Sequence, residues 1–287
     1  MGGFEHSKSP SFHYIWRQMS IKLFKPSDFL SQYVKHYWSL ENCSPPGSEY
    51  SHRVVPSGLF ELIFYLKDRP RTGDSRKSIS DRFLVTGQLK NFYDLQISGD
   101  LSLFSINFHP HGLAMFLDLP LNELFEHTVP LRYLVKDRVN KLEDELLNTK
   151  NDLERIRIAE EFLITSLRKS ESVRNYDRIR YIIDKINSSR GTTAIESLAS
   201  DTFLSRKQFE RTFSSIIGAT PKQFLRVVRF QNALYEKSKD PGWNLTELSH
   251  KCGYFDQAHM INDFRKFSGV TPKQFFSDCE PFSDYFE

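Results

Sequence analysis

The stretch Gly218-Ala219-Thr220-Pro221-Lys222-Gln223-Phe224 recurs as Gly269-Val270-Thr271-Pro272-Lys273-Gln274-Phe275, 51 residues further on. The same offset carries Phe213 onto Phe264, Phe209 onto Met260 and Ser205 onto Asp256. Two copies are too few to bury a solenoid core, so the repeat marks a duplicated small helical unit. Each copy predicts a short helix (193–200, then 245–252) and a turn (Asp201-Thr202-Phe203-Leu204, then Gly253-Tyr254-Phe255). An N-cap follows, Ser205 or Asp256, whose side-chain oxygen can take a free backbone N–H. A longer helix then turns Phe209 and Phe213, or Met260 and Phe264, inward, and Gly218 or Gly269 ends it. Thr220 or Thr271 caps the next helix, with Pro221 or Pro272 at its first position, where a missing N–H costs nothing. Two helices joined by a tight turn make a helix-turn-helix, whose second helix can enter the major groove of DNA.

Over roughly residues 180–278 the sequence resembles the AraC family of bacterial transcription regulators. The residues that carry the resemblance are Cys252-Gly253-Tyr254, Asp256-Gln257, Met260, Phe264-Arg265-Lys266-Phe267 and Gly269 to Phe275, together with the matching first copy. The sequence departs at Ser249, where the family has Ala, and at Met260, where it has an aromatic residue. Both are small packing changes. The resemblance implies a helix over about 221–238 that bridges the two units, with Phe224, Val227, Val228, Leu234 and Tyr235 on one buried stripe. It also implies two recognition helices in successive major grooves, about 34 Å apart on one face of the duplex.

In the first unit Lys207, Glu210 and Arg211 share the outer face, with Arg206 and Gln208 beside them. Arg and Lys suit guanine O6 and N7, and Gln suits adenine. In the second unit Gln257 and Asn262 suit adenine, Ala258 suits a thymine methyl, and His259 completes the set of base-contact candidates. Phosphate candidates are Lys222, Lys273, Arg265 and Lys266, with the helix starts at Thr220 and Thr271. A merely solvated charged face is the plain alternative for any of these. Residues 190–277 hold 13 Lys and Arg against 8 Asp and Glu, a local net of +5, which is the right sign for phosphate.

Ahead of this region the period is that of strands. Val34, His36, Trp38 and Leu40 alternate with Tyr33, Lys35, Tyr37 and Ser39, and the runs 60–66 and 101–108 follow turn signals. Lys67 to Asp81 predicts a loop. Helical spacing takes over from about 111, and Ser188-Ser189-Arg190-Gly191 predicts a helix stop. The expected fold class is therefore α+β: a polar, disordered extension over 1–20, a β-rich regulatory domain with a helical end over 21–170, and an all-α tandem helix-turn-helix domain over 176–279. The runs His52 to Gly58, Glu61 to Phe64, Val85 to Gln88 and Phe108 to Leu113 resemble a poorly characterised sensor-like domain that precedes some AraC-type domains. Two pairs there are open to either reading. His109 and His111 are a metal pair or ordinary turn histidines, and Arg53 and Glu61 grip an effector or form a surface ion pair.

Composition limits the alternatives. Of 287 residues, 39% are hydrophobic, enough for packed cores, and the net charge is only +3, so charge placement matters more than its sum. Cys43, Cys252 and Cys279 form no CxxC pair, which disfavours a zinc finger and a disulfide framework. No secretory signal or membrane-spanning run is visible, which leads to an expected cytoplasmic location. No hydrolase, metalloprotease or P-loop signature appears, so no enzyme and no cofactor are expected. The remaining alternatives are a helical protein-interaction module and a DNA-repair methyltransferase with a reactive cysteine. The expected partners are double-stranded DNA and RNA polymerase, with a small-molecule effector and a homodimer as further candidates.

Overall fold

The computed structural model describes residues 19–42, 49–73, 79, 81–135, 138–168, 173–278 and 281–286. Of the expected extension, residues 1–18 lie outside these, and Met19 and Ser20 already belong to the first strand, β1 (Met19–Phe24). The other strands are β2 (Val34–Asn42), β3 (Glu49–Val54), β4 (Phe60–Tyr65), β5 (Arg71–Thr72), β6 (Phe83–Thr86), β7 (Tyr93–Ser98), β8 (Ser102–Phe108) and β9 (Thr128–Pro130). An antiparallel sheet runs in the order β1-β2-β8-β4-β6-β9, and a smaller one runs β3-β7-β5. The loop expected over Lys67 to Asp81 thus contains a two-residue strand. A last strand, β9, lies beyond the point where helical spacing sets in.

The large sheet has apolar cores on both faces, which explains its nearly continuous apolar strands. On one face Phe60, Leu62 and Phe64 of β4 meet Phe104, Ile106 and Phe108 of β8. On the other, Tyr65 and Leu103 pack with Ile97 of β7, so this second core joins the two sheets. The alternation expected along β2 is broken. A bulge between Val34 and His36 shifts the register, so Val34 shares a core with Tyr37, while Trp38 and Leu40 face the other core. One extra residue on a strand reverses the faces of all that follow.

The helices are α1 (Arg132–Val135), α2 (Arg138–Asn148), α3 (Asp152–Ser166), α4 (Tyr176–Ser188), α5 (Ile195–Asp201), α6 (Arg206–Ile217), α7 (Pro221–Lys239), α8 (Leu245–Lys251), α9 (Gln257–Ser268) and α10 (Pro272–Asp278). Leu142 and Leu146 of α2, Ala159 and Leu163 of α3, and Ile179, Ile183 and Ile186 of α4 are buried at helical spacing. The core of the large sheet continues through them into Phe209, Phe213 and Phe224. A separate cluster of Phe230, Leu234, Leu248, Met260, Phe264 and Phe267 forms the C-terminal core.

Candidate nucleic-acid interface

The first unit is α5, a turn and α6. Ser205 caps α6 in a reciprocal capping box, with Ser205 Oγ accepting from the Gln208 N–H and Gln208 Oε1 accepting from the Ser205 N–H. Phe209 and Phe213 are fully buried. Arg206, Lys207, Gln208 and Arg211 are exposed, and Glu210 is half-buried. Two of these have local tasks. Gln208 uses its carbonyl in the cap, which leaves its amide N–H groups to face outward. Arg206 donates to Glu210 Oε1 at 3.1 Å and to Glu196 Oε1 at 2.7 Å, an exposed network that holds the guanidinium beside the helix start. Lys207 and Arg211, four residues apart, are exposed on one face of α6.

The second unit is α8, a turn and α9. Asp256 caps α9 through the His259 N–H at 2.7 Å. Met260 fills the inner position and is fully buried, as is Phe264. Ser249 is also buried and donates to the Thr246 carbonyl, so its extra hydroxyl is satisfied within its own helix. Ala258 and Asn262 are exposed. Gln257 accepts from Thr246 Oγ1 at 3.2 Å, and the half-buried His259 ring lies edge-on to Tyr254 at 5.2 Å. The helix starts that follow each unit are closed by identical boxes, Thr220 with Gln223 and Thr271 with Gln274, with Lys222 and Lys273 exposed beside them.

The bridge between units is α7, whose bounds agree with the expected helix. Its apolar residues do not form one stripe, however. Phe224 and Val228 enter the core shared with the sheet, and Val227, Phe230, Ala233 and Leu234 enter the C-terminal core. A helix packed on two sides needs apolar residues on two sides. Arg226 of α7 forms an ion pair with Asp263 of α9, whose carboxylate is fully buried, and this ties the second recognition helix to the bridge. Asp263 was not among the sequence candidates, because its position in the repeat is occupied by Thr212 in the first unit.

The β domain meets this region at the far ends of α6 and α9, away from their exposed starts. Gly218 and Gly269 take left-handed backbone, with φ of 79° and 78°, and end these helices. A Cβ on Gly218 would lie 2.6 Å from Phe60, and one on Gly269 would lie 2.7 Å from Phe92. Arg53 stacks on Phe92, pairs with Asp94 and donates to the Ser268 carbonyl at 3.0 Å. Gln231, buried in the middle of α7, donates to the Pro56 carbonyl and accepts from Ser283. The segment 281–286, which the sequence reading passed over, straps the domains together. Lys35 donates to the carbonyls of Asp284 and Tyr285, and the Tyr285 hydroxyl donates to Asn187. Its aromatic residues Tyr285 and Phe286, both buried, were the available signal.

Residues 198–278 match a family model described as a helix-turn-helix domain. This segment is a helix-turn-helix domain of the AraC type. Ahead of the AraC-type domain, residues 22–130 match a domain of unknown function, DUF6597. The HTH-type transcriptional regulator ArgR of Pseudomonas aeruginosa is 29% identical over 82 residues, 28% of this chain and 24% of that protein. The HTH-type transcriptional activator RhaR of Salmonella dublin is 29% identical over 98 residues, 32% of this chain and 34% of that protein. The chain thus spans about a quarter to a third of the length of the curated relatives it matches. Among solved structures, ToxT from Vibrio cholerae covers 91% of this chain and 98% of its own, at 7% identity and a TM-score of 0.45.

The remaining candidates fall elsewhere. Arg265 is exposed near the end of α9, but Lys266 is half-buried, and burial with neighbouring Arg226 and Lys90 lowers its pKa. Its ammonium lies 5.8 Å from the centre of the Phe267 ring. His109 and His111 stack with ring centroids 5.9 Å apart and bind the carbonyls of Ser31 and Gln32. Burial and the adjacent His109 lower His111 to about 3, and among the described residues no third His, Cys, Asp or Glu joins them as a metal-binding group. Arg53 and Glu61 do not pair with each other. Arg53 belongs to the contact with α9, whereas Glu61 accepts from Trp38 Nε1 and Ser105 Oγ, and burial raises its carboxyl to about 7. Cys252 is buried, and the loss of solvent pushes its thiol up to about 12. Cys43 and Cys279 lie outside the described residues. No helix among the described residues is long and apolar enough to cross a membrane.

Proposed function

We propose that this chain is a sequence-specific DNA-binding transcription regulator which sets α6 and α9 into successive major grooves. The observation that carries the reading is the pair of capped helices on one bridging helix, each with its first turns open to solvent and its far end packed on the β domain. Arg206, Lys207, Gln208, Glu210 and Arg211 read bases from α6, and Gln257, Ala258, His259 and Asn262 from α9. Lys222, Lys273, Arg265, Lys266 and the helix starts at Thr220 and Thr271 hold phosphates. RNA polymerase is the downstream partner, and the setting is cytoplasmic.

The β domain regulates this reader, through a small-molecule effector or self-association. Support comes from its grip on both recognition helices, at Gly218 through Phe60 and at Gly269 through Phe92 and Arg53. An effector acts only if it favours one arrangement of these contacts over another. Burial pushes the Cys252 thiol up to about 12, so Cys252 is not the reactive thiolate that the methyltransferase alternative requires. The test is selection of duplexes from random DNA with the full chain, followed by a salt titration on a selected and a scrambled site. Enrichment of a two-part site and a steep salt dependence are expected. No enrichment, with weak binding insensitive to salt, would overturn the reading in favour of a protein-interaction module.

A further inference from the structure

Two phenylalanines stand in the helix-turn-helix turns with almost no protein around them: Phe203 is 91% exposed and Phe255 is 87% exposed. They reach these places by different routes. In both units the residue after the first helix's C-cap takes left-handed backbone. In the second unit that residue is Gly253, with φ of 70°; in the first it is Phe203, with φ of 54°. A bulky side chain is sterically disfavoured there and glycine is not. The phenylalanine makes no packing contribution that offsets this. Next in each turn comes a residue that packs inward, half-buried Leu204 or buried Tyr254. The first unit then passes directly to its cap, Ser205. The second inserts one extra residue before Asp256, and that residue is Phe255. The 51-residue repeat therefore aligns Phe203 with Tyr254, and only the structure shows that the outward aromatic residues are Phe203 and Phe255.

Each lies within two residues of the cap of a recognition helix, at the end that carries the base-reading candidates. Exposed Lys207 and Arg211 share that end in the first unit, and exposed Lys251 lies four residues before Phe255 in the second. The occupant that suits an outward aromatic ring beside cations and a groove-entering helix is the wall of a DNA groove. It offers deoxyribose edges and thymine 5-methyl groups as its apolar surfaces. We propose that Phe203 and Phe255 are DNA-contacting, specificity-determining residues, which pack on these surfaces beside each recognition helix and favour thymine at the flanking positions. The proposal rests on the DNA-binding reading given above.

Such contacts remove apolar area from water and release no counterions, so they add affinity without adding to the salt slope. The experiment uses the full chain, a duplex selected from random DNA, and the same duplex with flanking thymines replaced by uracil, which lacks the methyl group. Phe203→Ala and Phe255→Ala are each expected to weaken binding about tenfold with an unchanged salt slope. Uracil should weaken the parent protein but leave the variants no weaker than before. Phe203→Gly relieves the left-handed backbone, so it should keep or raise the melting temperature while still losing affinity, which separates contact from folding. Unchanged affinity in the variants, or an equal response to uracil in parent and variants, would overturn the proposal and leave the DNA-binding reading intact. Variants that bind DNA normally but fail to support transcription in a purified system would overturn it as well, since the rings would then face a protein. Failure of the parent chain to select any duplex would instead bring down the DNA-binding reading itself.

Discussion

The two helix-turn-helix units are copies in sequence but not in attachment. Phe209, Phe213 and Ile216 of the first unit, with Phe224 of α7, belong to the same core as Phe60, Phe64 and Phe104 of the large sheet. Met260, Phe264 and Phe267 of the second, with Phe230 of α7, form a core of their own, touched from the β domain by Val55. The first unit is thus fused to the β domain through apolar packing. The second meets the β domain at its far end, where Arg53 donates to the Ser268 carbonyl and Phe92 lies beside Gly269; the bond from Gln231 to Pro56 starts on the bridging helix α7, and the strap bond of Tyr285 ends on α4. Apolar cores come apart only at the cost of cavities and exposed surface, whereas a few directional contacts can be exchanged singly. Under the regulation proposed above, the second recognition helix is the one expected to respond to a signal in the β domain.

Core truncation should give the largest contrast. Phe213→Ala and Phe264→Ala each remove a fully buried ring and should cost about 3–5 kcal/mol. Hydrogen exchange should rise in both the first unit and the β domain for Phe213→Ala, and in the C-terminal unit alone for Phe264→Ala. Matching exchange patterns would erase the distinction between fused and separate cores. Asp263→Ala strands Arg226 beside the second core. Because Arg226 is partly exposed, the loss should be about 2–3 kcal/mol, below that of a fully buried pair. Chemical denaturation should report it, and a loss under about 1 kcal/mol would mean that solvent replaces the carboxylate.

Binding effects should be smaller. Arg211→Ala on the outward face of α6 should cost about 1–3 kcal/mol on the selected duplex and much less on scrambled DNA. Equal losses on both would put another face of α6 in the groove. The smallest effect belongs to the second unit. Lys273→Ala should weaken both duplexes alike and reduce the salt slope by about one. A preference for one duplex would turn this lysine from a phosphate contact into a base reader.

The tandem units were legible because local rules dictate them. Caps at Ser205, Asp256, Thr220 and Thr271, prolines at helix starts and glycines at helix ends are decisions made within a few residues, and all of them reappear in the structure. The strands around Trp38, Phe64 and Phe104 were legible for the same reason, since alternation and turn signals act over short spans. Tertiary structure decided the rest. The bulge after Val34 reversed the faces of β2, because register answers to the partner strand. Arg53 and Glu61, eight residues apart, went to opposite tasks, one to the end of α9 and one to Trp38 and Ser105. The bridging helix needed two apolar sides because cores lie on both, and the last residues became a strap because Lys35, Asn187 and Gln231 converge from three distant elements. The sequence by itself determined the duplicated capped helices, whose free energy is local. Which copy fuses to the β domain, and which is held by exchangeable contacts, depends on pairings between residues far apart in the chain, and no local period records them.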